Sequence, residues 1–128
     1  MIILDENLDV WQRQKLEGWG VHFRRIGGEL GRFGMDDYDE IIRLLHSIRR
    51  PTFFTRDQDF YRRWLNHPGY CLVYLDVGPG EAALFIRRFL RHRNFRTQAQ
   101  RIGKVVRVHR GGVTYWQAGM GEGREIAW

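Results

Sequence analysis

The chain has 128 residues, 43% hydrophobic and 28% charged, with 15 glycines and only 3 prolines. That composition fits a single globular domain with one core and excludes a collagen-like, low-complexity or intrinsically disordered protein. Twenty-one Lys and Arg against fifteen Asp and Glu leave a formal charge of +6, with a sequence pI near 10.1, a balance suited to a polyanionic partner such as nucleic acid.

In chain order, residues 2–4 form an apolar run too short for a helix, followed at once by Asp5, and read as a strand tipped by an acid. Asp9 is placed to cap a helix through about Glu17, closed by Gly18 and Gly20. Residues 21–26 alternate well enough for a second strand, and residues 27–34 are a glycine-rich loop able to move. This loop lacks the Gly-Lys-Ser/Thr ending of a phosphate-binding P-loop. Asp37 or Asp39 then opens a helix with Ile41, Ile42, Leu44, Leu45 and Ile48 at helical spacing, stopping before Pro51.

The β-prone run 52–55 delivers Asp57 and Asp59 just past its end, and residues 60–65 read as helical up to Asn66 and Pro68. Residues 70–75 are the most continuous apolar strand and contain Cys71, a lone cysteine that cannot form an intramolecular disulfide and reads as a buried, inert thiol. Residues 81–93 form a helix with Ala82, Phe85, Ile86, Phe89 and Leu90 on one face. A short helix over 97–102 precedes a hairpin that pairs 104–109 with 113–116 across Arg110-Gly111-Gly112. Residues 1–117 are thus the expected domain, and residues 118–128, with three glycines and no periodicity, the expected mobile tail. No stretch of eighteen apolar residues and no basic leader occurs, so no membrane association is expected and the expected location is the cytoplasm.

Strands alternating with helices imply an α/β fold with a mainly parallel sheet covered on both faces, in which ligands bind beyond the carboxyl ends of the strands. Asp5 and Asp57 are expected there. Acids gather in three clusters, Leu4-Asp5-Glu6-Asn7, Met35-Asp36-Asp37-Tyr38-Asp39 and Thr55-Arg56-Asp57-Gln58-Asp59. Their convergence would suit a hard divalent cation, Mg2+ or Mn2+, which takes oxygen ligands and rests on few carboxylates. The alternative is that Asp9, Asp37 and Asp39 are helix caps and Asp57 and Asp59 a turn and a cap. His22, His46, His67, His92 and His109 are dispersed and lack the spacing of a zinc site.

Arg87, Arg88 and Arg91 belong to the densest basic run and can hold a phosphate backbone, or simply form the solvated face of a helix. Arg56 and Arg62 lie closer to the acids, where a guanidinium can guide phosphate.

Taken together, Ile3-Leu4-Asp5-Glu6-Asn7-Leu8, Gly34-Met35-Asp36-Asp37 and Phe54-Thr55-Arg56-Asp57-Gln58-Asp59-Phe60 make the chain resemble the small PIN-like proteins of the DUF5615 type over residues 1–117. The resemblance implies a PIN-like three-layer α/β/α sandwich with a mainly parallel central sheet and a C-terminal β-hairpin, and an acidic pocket for Mg2+ or Mn2+. It also implies endoribonuclease activity of the kind found in VapC-like toxins that an antitoxin neutralises. Carried over position by position, Asp5, Asp57 and Asp59 match the acids that serve as metal ligands and catalytic groups, while Asn7 and Thr55 match their polar neighbours. Asp36, Asp37 and Glu40 compete for the middle acid, with Asp37 assigned to it. The expected partners are an RNA substrate and an antitoxin protein, with a homodimer as one form open to the chain; the alternative is a non-catalytic RNA-binding or protein-binding module.

Overall fold

Four apolar runs hydrophobic on both sides have to be covered on both sides, and that requirement builds the domain. The computed structural model describes residues 1–32, 34 and 38–128. Ile2–Leu4 (β1), Arg24–Arg25 (β2), Thr52–Thr55 (β3), Cys71–Leu75 (β4), Lys104–His109 (β5), Gly112–Gln117 (β6) and Arg124–Ala127 (β7) form one seven-stranded sheet in the order β2-β1-β3-β4-β5-β6-β7. The first five strands are mutually parallel. β6 and β7 add antiparallel, β6 following β5 across the turn at Arg110 and Gly111.

Helices Val10–Gly18 (α1), Tyr38–Ser47 (α2), Ala82–Arg91 (α3) and Gln98–Arg101 (α4) connect the strands. Successive strand residues point to opposite faces, and the buried residues sort accordingly. Leu4, Phe54, Val73 and Val106 meet Leu16 of α1 and Ala82, Phe85, Ile86 and Phe89 of α3. Ile3, Phe53, Leu72 and Val105 meet Ile41 and Leu45 of α2, with Phe60 and Leu65. The architecture is therefore α/β with helices on both faces of a mostly parallel sheet. A slip of one residue in any central strand would exchange its two apolar sets, so the register is strongly fixed.

Two buried polar side chains tie elements of this frame together. Gln12 of α1 accepts the Ala83 amide at 2.9 Å, tying α1 to the start of α3. Arg101 is 7% exposed and donates to the Thr52 hydroxyl at 3.0 Å and to the carbonyls of Phe95 and Arg96 at 3.0 and 3.1 Å. Cys71 is buried, and burial pushes its thiol up to about 12, as an inert core thiol requires. Among the described residues no helix is long and apolar enough to cross a membrane.

Three elements depart from the sequence-based expectation. The second strand shrinks to Arg24–Arg25, because the Val21 amide bonds the Leu16 carbonyl at 3.0 Å and so closes α1 instead of opening a strand. The expected helix over 60–65 is two 3-10 turns, Gln58–Phe60 and Arg63–Leu65, each one turn long and each burying a single apolar residue, Phe60 or Leu65. The expected mobile tail is instead an ordered edge: Val113 pairs with Ile126, the Trp128 indole donates to the His109 carbonyl at 2.8 Å, and the Arg88 guanidinium lies 4.6 Å from the Trp128 ring centre.

Gly112 makes that edge possible. Its φ of +149° favours glycine, and a Cβ there would stand 2.2 Å from the Ile126 carbonyl oxygen. Gly112→Ala is therefore expected to release β7 and cost about 1 kcal/mol or more. Hydrogen exchange should show the amides of residues 124–127 losing protection while β3 and β4 keep theirs; unchanged protection at 124–127 would refute this account of the edge.

Candidate functional site

The apolar rows of the sheet end abruptly at its carboxyl edge. Beyond Ile3, Phe53, Leu72 and Val105, two residues along and on the same face, stand Asp5, Thr55, Tyr74 and Arg107. The register sets these polar residues side by side, Thr55 opposite Tyr74 and Tyr74 opposite Arg107. The Asp5 amide donates to the Phe54 carbonyl at 3.0 Å, so the backbone ladder carries Asp5 one step past β1.

Asp5 is 6% exposed. Its Oδ2 accepts the Thr55 hydroxyl at 2.6 Å and its Oδ1 accepts the Glu6 amide at 2.8 Å. The Thr55 oxygen in turn accepts the Asp57 amide at 3.0 Å, and Asp57 Oδ1 accepts the Asp59 amide at 2.9 Å, starting the first 3-10 turn. Thr55, fully buried, thus links two carboxylate residues. In the alternative reading Asp57 is a turn residue and Asp59 a cap; here Asp57 itself caps the 3-10 turn through one oxygen, and among the described residues its other oxygen makes no hydrogen bond. Burial foremost raises the Asp5 carboxyl above its ordinary range, the negative charges of Asp57 and Glu6 add to the rise, and the Thr55 hydroxyl and Glu6 amide oppose it.

The remaining expected site residues fall at different places. Asp59 is at the outer rim, its side chain 68% exposed and 3.4 Å from Arg62. Arg62 also donates to the carbonyls of Gln58 and Tyr61 at 3.2 and 3.1 Å. Asn7 is exposed, and Asp36 and Asp37 lie outside the described residues. Glu40 accepts Arg32 Nη2 with both carboxylate oxygens, at 3.0 and 2.8 Å. Arg56 grips the Val77 carbonyl at 3.2 and 3.3 Å, which pins the loop after β4.

Arg87, Arg88 and Arg91 sit on α3, behind the sheet from the Asp5 side chain. Arg87 lies 4.6 Å from the Trp19 ring centre, and the three arginines line a groove of about 390 Å³ with Leu84, His92 and Trp128. The structure therefore brings together Asp5, Thr55 and Asp57, with Arg62 and Asp59 beside them, and keeps the α3 arginines apart.

Two residues missed by sequence reasoning belong to this edge. Glu6 accepts the Gly34 amide through both oxygens at 3.0 and 3.1 Å, and its side chain lies close to Gly27, so one carboxylate ties the far end of the glycine-rich loop to the strand edge beside the loop's start. Asp76 follows β4 as Asp57 follows β3, and pairs with Arg107 at 2.7 Å. The same rule that singled out Asp5, an acid just past an apolar run, also fits Asp76.

The donors present are carboxylate and hydroxyl oxygens, the kind Mg2+ and Mn2+ prefer. Among the described residues no three His, Cys, Asp or Glu side chains converge to hold a metal. No family model, curated protein or solved structure matches the chain.

A carboxyl with a raised folded-state pKa binds its proton more tightly in the folded chain, so stability falls as pH rises from the unfolded-state range through the folded one. Metal-free Asp5→Asn is therefore expected to melt above the wild type at pH 7, and the gap should close as pH drops through the acid range. An asparagine protein less stable at every pH would contradict this. Thr55→Val strips Asp5 and the Asp57 amide of a buried partner and is expected to cost about 1–3 kcal/mol in urea unfolding.

Proposed function

We propose that the protein is a metal-dependent endoribonuclease with a PIN-like fold, and that Asp5 and Asp57 are its principal metal-binding carboxylates. The observation carrying this reading is the chain Asp5–Thr55–Asp57 at the carboxyl edge of the sheet, with a buried carboxylate at one end and, at the other, a carboxylate oxygen with no hydrogen bond among the described residues. Burying Asp5 beside two negative groups is costly for the isolated protein, and a divalent cation would offset that cost.

Mg2+ or Mn2+ bound there would supply the Lewis-acid chemistry of phosphodiester hydrolysis, activating water and offsetting charge on the leaving oxygen. The chain's own part is positional. Thr55 orients Asp5 and fixes the turn that carries Asp57, while Asp59 holds Arg62 at the rim, where a guanidinium can receive a phosphate. Asn7 and Asp37 complete the proposed site by resemblance, as do a toxin role, a neutralising antitoxin and a homodimer.

A second reading, a non-catalytic RNA-binding module, draws on the arginine groove of α3, which lies on the other side of the sheet from Asp5. It requires salt-sensitive RNA binding indifferent to chelator.

The deciding experiment incubates a mixed RNA substrate with the purified protein in Mn2+, Mg2+ or EDTA, with Asp57→Asn from the same preparation. The expected outcome is metal-dependent cleavage that Asp57→Asn loses, together with a thermal midpoint raised by Mn2+ in the wild type and not in Asp5→Asn. Wild-type cleavage by Asp57→Asn would overturn the site, and absence of cleavage with chelator-indifferent binding would favour the module.

A further inference from the structure

Trp64 is 77% exposed, the most exposed of the large apolar side chains described. It sits in the 3-10 turn Arg63–Leu65, where the next residue, Leu65, is buried and holds the turn to the core. With Tyr38, Asp59 and Arg62 it lines an open hollow of about 300 Å³.

The setting is organised around the indole. Tyr38 packs its ring on Phe60, centroids 5.2 Å apart, and forms the wall of the hollow facing Trp64. Arg62 is held by the Gln58 and Tyr61 carbonyls and by Asp59, so its guanidinium is anchored in the wall of the hollow that Trp64 also lines. Asp59 is two residues from Asp57, which places the hollow next to the candidate carboxylates, at the same end of the sheet.

We propose that this hollow is a base-stacking subsite for single-stranded RNA, in which an unpaired base lies on Trp64 while Arg62 holds a neighbouring phosphate. The inference rests on the ribonuclease reading only for what happens to the strand afterwards. An exposed aromatic face beside a fixed cation is the combination that grips single strands with little sequence preference, because every base has a π-face and every linkage a charge. A duplex does not fit, since its bases are already stacked on both faces. The net charge of +6 supplies the general attraction of a polyanion, and the indole supplies the preference for unpaired bases.

The test is fluorescence anisotropy with a short, unstructured, end-labelled RNA in EDTA, against the same RNA annealed to its complement, for wild type, Trp64→Phe and Trp64→Ala. Wild type is expected to favour the single strand, Trp64→Ala to weaken that binding about tenfold, and Trp64→Phe to retain most of it. Because Trp64 is exposed, all three proteins should share one melting temperature. Equal affinity of wild type and Trp64→Ala, equal binding of duplex and single strand, or no binding by wild type would each overturn the subsite. Metal-dependent cleavage assayed alongside separates the two readings. Cleavage with binding indifferent to Trp64 removes the subsite and keeps the nuclease, whereas Trp64-dependent binding without cleavage in any metal does the reverse.

Discussion

The hydrogen bond from the Thr55 hydroxyl to Asp5, 2.6 Å long and buried, joins residues fifty positions apart and sets the geometry of the whole carboxyl edge. It can form only because β1 and β3 are parallel neighbours whose register places Leu4 against Phe54, and hence Asp5 beside Thr55. The same threonine oxygen receives the Asp57 amide, so the direction in which the chain leaves β3 depends on it as well. One side chain thus couples strand pairing, the first 3-10 turn and the placement of two carboxylates.

The sheet uses its two faces differently near that edge. On the α1 and α3 side the residues past Phe54 and Val73 are Arg56 and Leu75, and Arg56 turns to cap the Val77 carbonyl. On the α2 side the apolar row gives way to the polar row of Asp5, Thr55, Tyr74 and Arg107 within a single period of two. Tyr61 stacks on Trp116 at 4.7 Å, which continues an aromatic cover alongside that row and makes one face of the edge richer in recognition chemistry than the other.

Much of this was legible in the sequence because the signals were local. Short apolar runs ending in acids marked β1 and β3, Asp9 marked the start of α1, and the spacing of Ile41 and Leu45 marked α2. The missed features depend on partners distant in sequence. Residues 118–128 carry no periodicity of their own, and β7 exists because Gly112 lets another backbone approach and because Trp128 reaches His109. Glu6 looked like a mere neighbour of Asp5 until the fold brought Gly34 to it across 28 positions. Arg56, expected beside the acids, also holds the Val77 carbonyl, a partner twenty-one positions away.

A protein with a surplus of positive charge would lower its electrostatic cost by scattering its acids among the arginines, and several acids here do pair, Asp76 with Arg107, Glu81 with Arg110 and Glu40 with Arg32. Asp5 does not. Its oxygens are taken by a hydroxyl and an amide, neutral donors that hold a carboxylate in place without neutralising it, and the charges that act on it, those of Asp57 and Glu6, are negative. An arginine at that depth would have served stability better, since a buried unpaired charge is among the most expensive groups a fold can carry. Local rules are broken at sites whose chemistry needs them broken, and under the proposed reading a divalent cation, which the chain does not itself provide, would offset the charge that Asp5 carries at the strand end.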